Sequence, residues 1–171
     1  PYNPAEVTAG SQPDWYMGFL DGAARLTPGW LEFTVFGYTL SLNILLPTLV
    51  LPGILTMLLV LYPWIESWAT GNRRERHLLD RPRNVPTRTG LGVMAITFYL
   101  VLLLAGGNDI IATQLHLSIN DITNALRVLL LVAPPIAFVV TKRICLGLAR
   151  KDREKVLHGR ETGRVFRSPE G

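Results

Sequence analysis

The charges of this chain are segregated along its length, and that segregation limits the folds open to it. Between Glu32 and Glu66 lie 33 consecutive positions without an Asp, Glu, Lys or Arg. As helix, such a run rises roughly 50 Å, more than the roughly 30 Å of a bilayer's hydrocarbon core. A second uncharged run of 20 positions lies between Arg88 and Asp109, with GVMAITFYLVLLLAG at its heart. A third candidate, Ile122 to Thr141, is interrupted by Arg127 near its start, so that only Val128 to Thr141 is free of charge. With 49% hydrophobic residues in 171, the expectation is an all-α membrane protein. It comprises an outer loop and interfacial helix over residues 1–39, a three-helix transmembrane region over 40–149 and a basic cytoplasmic tail over 150–171. The spans fall at about 40–64, 89–107 and 121–147.

Charge also orients the spans. Of the 17 Lys and Arg, six Arg lie between Arg73 and Arg88 and nine Lys or Arg follow from Lys142. Short loops rich in these residues stay in the cytoplasm, so the loop and the tail share that side. The segments Pro1–Glu32 and Asn108–Asp121 hold six acids against Arg25 alone and face out. An odd number of crossings joins an outside start to an inside end, which supports the third helix independently. The basic residues flank apolar runs and few aromatics alternate with them, which fits anionic lipids and excludes nucleic acid. Cys145 is the single cysteine, so an intramolecular disulfide is impossible and a metal cluster is disfavoured. The chain opens on Pro1 without a signal-peptide pattern and reads as part of a longer protein.

Pro4, Gly10 and Pro13 make the first dozen residues irregular. From Asp14 onward Trp15, Phe19, Leu20, Ala23 and Leu26 recur at helical spacing, and Asp21 and Arg25 form an i, i+4 pair. The expectation is a short amphipathic helix along the outer interface, ended by Pro28 and Gly29. Trp30, Phe33, Phe36 and Tyr38 follow as an aromatic entry at headgroup level. Pro47 and Pro52 should bend the first span, and Pro82 and Pro86 forbid one long helix through the Arg-rich loop. Asn108–Asn120 reads as a short outer loop that could hold a helical turn, with Asn108 and Asp109 as the polar end of a helix there. The third helix should begin near Ile122, with Asn120 or Asp121 as N-cap, and pass Pro134 and Pro135. Arg127 either snorkels to the interface or meets a lipid or partner carboxylate. The tail should be helical to Leu157 and capped by Gly159.

No nucleotide-binding glycine pattern, paired-cysteine site or nucleophile elbow occurs. His77, His116 and His158 lie far apart, and no two histidines sit inside spans where they could ligate a haem. That leaves Pro13-Asp14-Trp15-Tyr16. Asp14 can be a helix cap with Trp15 and Tyr16 as interfacial anchors, which holds the carboxylate ionised. It can instead be a proton acceptor, whose affinity for protons must be raised toward neutrality.

Pro13-Asp14-Trp15-Tyr16, before an interfacial helix and three spans, resembles the Pro-Glu-Trp-Tyr signature of cytochrome b, the membrane core of the cytochrome bc1 complex, with Asp replacing Glu. The segment HLLDRPRNVPTRTG within Gly71–Gly90 resembles the basic loop of actinobacterial cytochrome b, and NDIIA at Asn108–Ala112 continues the similarity. It covers about Asn3 to Gly163. The resemblance implies the C-terminal portion of the subunit, in a bacterial plasma membrane. It also implies half of an outward-side quinol-oxidation site in a quinol:cytochrome c oxidoreductase, with menaquinol favoured as substrate. Asp14 would accept a quinol proton, Pro13 and Trp15 would hold it in place, and Tyr16 would shape the pocket together with Met17 and Asp21. Haem b would sit on the N-terminal part, none on this segment. That part of cytochrome b, a Rieske iron-sulfur subunit, a cytochrome c subunit and a terminal oxidase are the partners implied. The alternatives are a non-catalytic membrane anchor or assembly subunit, and a transporter half, which would want polar groups in mid-span where the second span has almost none.

Overall fold

The computed structural model describes residues 13–71, 73 and 80–159. The irregular opening, His77, much of the Arg-rich loop and the end of the tail lie outside the described residues. A turn of 3-10 helix at Trp15–Met17 leads into α1, Gly18–Leu26. A two-stranded hairpin follows, β1 (Glu32–Val35) and β2 (Tyr38–Ser41), then the long helix α2, Leu42–Thr70. After it come α3 (Pro86–Gly106), α4 (Asn108–Leu115) and α5 (Ile119–His158). Among the described residues, helices α2, α3 and α5 are the three that are long and apolar enough to cross a membrane.

Three local expectations are corrected. The aromatic entry is a hairpin, with Phe33 opposite Leu40 and Val35 opposite Tyr38. Its turn is Phe36-Gly37, both at positive φ (51° and 80°), as a two-residue turn between twisted strands requires. The loop Asn108–Asn120 is mostly helix, because α4 occupies Asn108–Leu115 and only a short turn at His116 separates it from α5. Helix α5 begins at Ile119, three positions before the expected Ile122, with Ser118 in the N-cap position. It then continues unbroken through Pro134 and Pro135 to His158, where Gly159 ends it.

Proline leaves its mark on α2 at one position. Pro47 lacks an amide hydrogen, and the helix accommodates the gap with a five-residue π-helical turn at Leu46–Val50. Helix α1 lies against α3 at a glycine contact. A Cβ on Gly22 would stand 1.8 Å from the Leu102 carbonyl oxygen, and one on Gly106 would stand 2.5 Å from the Gly18 carbonyl oxygen. Ala23, Leu26, Leu102, Ala105, Ala112, Ile122 and Leu126 form the buried core where α1, α3, α4 and α5 meet. Farther along, Gly90 of α3 accepts the ring of Phe138 of α5, which would lie 2.9 Å from an added Cβ.

Helix α2 stands more open: only 6% of its most apolar window is buried, against 28% for α3. Its first turns reach the core through Leu51. At its other end Glu66 accepts from Arg88 Nε at 2.6 Å. Arg88 also lies 3.3 Å from Asp80, and Arg83 pairs with Asp152. Asp80, Arg83, Arg88 and the end of α5 therefore share the bundle end opposite α1.

Candidate functional site

Pro13 leaves Asp14 extended (φ −54°, ψ 140°), and the chain then tightens at once, with the Met17 amide donating to the Asp14 carbonyl at 2.8 Å. The Asp14 carboxylate makes no capping hydrogen bond to that turn. It accepts instead from the Tyr16 hydroxyl at 2.7 Å. A local side-chain donor has displaced the backbone amides as its partner. Because only the neutral phenol can donate, this bond pushes the Tyr16 pKa above its ordinary value, and slight desolvation adds in the same direction. Trp15 meets the Tyr16 ring edge to face, with centroids 6.0 Å apart.

Pro13 to Met17 all lie on the surface of this chain, and Trp15 is 77% exposed. At Gly18 the backbone turns into the packed contact with α3, and Phe19 lies against Tyr99 with centroids 5.2 Å apart. The turn bearing Asp14 and Tyr16 is thus held one residue from a rigid junction but is itself open. Asp21 belongs to a different constellation. Its carboxylate accepts from Arg25 Nε at 2.7 Å.

The Arg25 constellation was legible only in part. Its i, i+4 pair with Asp21 is as the spacing predicts, but Arg25 also donates to Asn108 Oδ1 at 2.7 Å and pairs with Asp109 at 2.8 Å. Asn108 in turn donates to Thr123 at 3.1 Å. Among the described residues Asn108 and Asp109 are the buried polar ones, not a polar helix end open to solvent. A signal for this was present: Arg25 is the one base among six acids in the segments assigned to that side. Arg127 extends the arrangement, donating to the Leu26 carbonyl at 2.8 Å and to Asn124 at 3.0 Å. It satisfies a carbonyl in the last turn of α1 that has no partner within the helix.

Two cavities flank Arg127. A polar cleft of about 360 Å³ also touches Arg25, Asn108, Thr123 and Asn124. An apolar cavity of about 480 Å³ runs under the end of α1, walled by Leu31, Pro47, Phe98, Leu102 and Leu130.

Among the described residues no group of three or more His, Cys, Asp or Glu is placed to hold a metal ion. His116 lies just before α5 and His158 is the last of its 40 residues, about 60 Å away along the helix, so they do not fit a shared haem.

No protein-family model matches the chain. Curated relatives match over all of its 171 residues. The cytochrome bc1 complex cytochrome b subunit of Streptomyces coelicolor is 56% identical, and the chain spans 31% of that protein's length. The subunits of the same description from Corynebacterium efficiens and Mycobacterium tuberculosis are 49% and 44% identical, again with 31% of their length spanned. Similarity at that level over the whole chain, with three apolar helices in the matching segment, means that the chain belongs to the cytochrome b subunit family of the cytochrome bc1 complex and corresponds to about a third of such a subunit.

Proposed function

We propose that this segment forms half of an outward-side quinol-oxidation site in a quinol:cytochrome c oxidoreductase of a bacterial respiratory chain. The bundle end carrying α1 faces out, and the end carrying Arg83, Arg88 and Asp152 faces the cytoplasm. The charge asymmetry of the segments supports that orientation.

The observation that carries the reading is the Asp14 carboxylate. It is not committed to capping a helix, it holds a phenol at 2.7 Å, and it lies on an open aromatic edge. Oxidising a quinol releases two electrons and two protons. A hydroxyl gives up an electron more easily while a base takes its proton. Asp14 is the acceptor, and Tyr16 and Trp15 orient it and form one wall of the quinol pocket. Pro13 fixes the start of the turn and Met17 closes it, whereas Asp21 is held by Arg25 and serves the pocket only by seating α1. A Rieske iron-sulfur subunit and haem b on the N-terminal part of the subunit would supply the two electron acceptors, with a cytochrome c subunit and a terminal oxidase downstream of the Rieske subunit. Those partners supply the redox centres and the other half of the pocket. Menaquinol is the favoured substrate.

The test is Asp14→Asn in the assembled complex. Quinol oxidation should fall by about a hundredfold or more, within the range general acid-base groups contribute, and its pH dependence should change while haem content and subunit composition stay normal. Unaltered turnover would remove Asp14 from the chemistry.

A further inference from the structure

We infer that the apolar cavity beneath the end of α1 holds one acyl chain of an anionic phospholipid, whose phosphate is bound by Arg127. The inference concerns a structural lipid and does not depend on the quinol reading above.

The cavity wall is nearly all hydrocarbon: Leu31, Pro47, Phe98, Leu102 and Leu130 supply most of it. Of its two polar side chains, Thr27 already donates to the Ala23 carbonyl at 2.8 Å. The other is Arg127. Its bonds run to the Leu26 carbonyl and to Asn124. Neither is a carboxylate, and among the described residues no ion pair to Arg127 is formed. A guanidinium has five donors, so capacity remains. Asp21 and Asp109, the nearby acids, are both drawn to Arg25. An arginine about 12 Å along a membrane-spanning helix from its start at Ile119 carries a burial cost that an anion would relieve. Phosphate is the anion whose geometry a guanidinium fits with paired hydrogen bonds.

The two halves of this cleft call for an apolar body and an anionic head together. Inorganic phosphate would leave the apolar walls unfilled, and a neutral quinol would leave the guanidinium unmet. An anionic amphiphile answers both. The volume, about 480 Å³, admits one chain rather than a whole lipid, so the headgroup must remain at the rim, where Arg127 stands. Leu46, Pro47 and Leu51 of α2 border the cavity, and α2 is the helix with the smallest buried share of the three, so an acyl chain on that side is continuous with the surrounding bilayer.

The experiment uses the whole complex in vesicles of phosphatidylcholine alone, or with one fifth phosphatidylglycerol, followed by mild-detergent extraction and lipid mass spectrometry. The wild type should retain phosphatidylglycerol after extraction and melt at a higher temperature when it is present. Arg127→Gln should lose at least about tenfold of the retained lipid, and Leu130→Trp, which fills the cavity but keeps the charge, should lose it as well. Equal retention by the wild type and both variants would overturn the inference. So would recovery of menaquinone in place of phospholipid, or an image of the complex with another protein segment filling the cavity. Because retention is read without turnover, failure of the quinol reading would leave this result untouched.

Discussion

The guanidinium of Arg25 stands 2.8 Å from the carboxylate of Asp109, although the two lie on either side of the first two apolar helices in the sequence. The Asp109 side chain is only 7% exposed, so this is an ion pair at the edge of a core, not one dissolved in water. Removing one partner of such a pair leaves a charge in a poor solvent, which costs more than the pair itself contributes. Arg25→Leu is therefore expected to destabilise the α1 end by on the order of 3 kcal/mol. Arg25→Lys should recover part of the loss, because one ammonium cannot reach Asp21, Asn108 and Asp109 together as the planar fork does. Denaturant melts of the purified complex check this, with Asp109→Asn as the milder third member.

The glycine contact between α1 and α3 gives a sharper prediction. Gly22→Ala places a methyl 1.8 Å from the Leu102 carbonyl oxygen, a distance at which α1 must lift from α3. Overpacking of this kind costs roughly 1–3 kcal/mol, and here it would also displace the turn bearing Asp14 and Tyr16. Both the melting temperature and quinol oxidation should fall. Gly92→Ala is the control: nothing lies within 4 Å of the added methyl, and a helical alanine should stabilise by up to about 1 kcal/mol. If the two alanines behaved alike, close backbone approach would not be what seats α1.

The helices and their order were legible because uncharged runs and segregated bases are one-dimensional signals, and helices long enough to span a membrane depend on little else. The turn at Asp14 was legible as a motif but not as a geometry. Spacing suits Asp14 for an N-cap, yet the carboxylate takes the Tyr16 hydroxyl, a choice between partners of similar strength that sequence does not rank. The hairpin was missed because Trp30, Phe33, Phe36 and Tyr38 were read for aromatic content. The alternation Phe33-Thr34-Val35 and Tyr38-Thr39-Leu40 about Gly37 carried the strand period all along. Asn108 and Asp109 were misjudged for another reason. Their partner Arg25 is brought to them only by packing of α1 on α3, a tertiary fact that no local pattern contains.

The hairpin can be tested apart from the helices. Gly37 holds φ 80°, and no atom would meet a Cβ there within 4 Å, so any penalty on substitution comes from the backbone alone. Gly37→Val should cost on the order of 1–2 kcal/mol locally. Phe36→Asn, at φ 51°, should instead favour the turn, since Asn tolerates that conformation. Amide exchange in β1 and β2 should speed up in the first variant and slow in the second. Exchange in α3 should be the same in both, because the strands pair only with each other.

The bond between Tyr16 and Asp14 makes a prediction with a definite sign. The phenol donates only while it is protonated, so the carboxylate holds that proton in place and raises the Tyr16 pKa above the usual tyrosine value. For a group whose folded value is raised, the associated stabilisation is whole below the unfolded value and is lost as pH climbs through the raised one. The Asp14–Tyr16 clasp should thus be intact with respect to Tyr16 at neutral pH and open only in strong alkali. Carbon-13 labelling of tyrosine, with Tyr16→Phe to assign the resonance, would locate the titration of this ring. Its midpoint should lie above that of the same ring in an Asp14→Ala variant. Coincident midpoints would mean that the carboxylate is not receiving the hydroxyl hydrogen, and that Asp14 is turned elsewhere in the assembled subunit. A higher midpoint with Asp14 present would show that the acid proposed to take protons from quinol is positioned by its own neighbour two residues along.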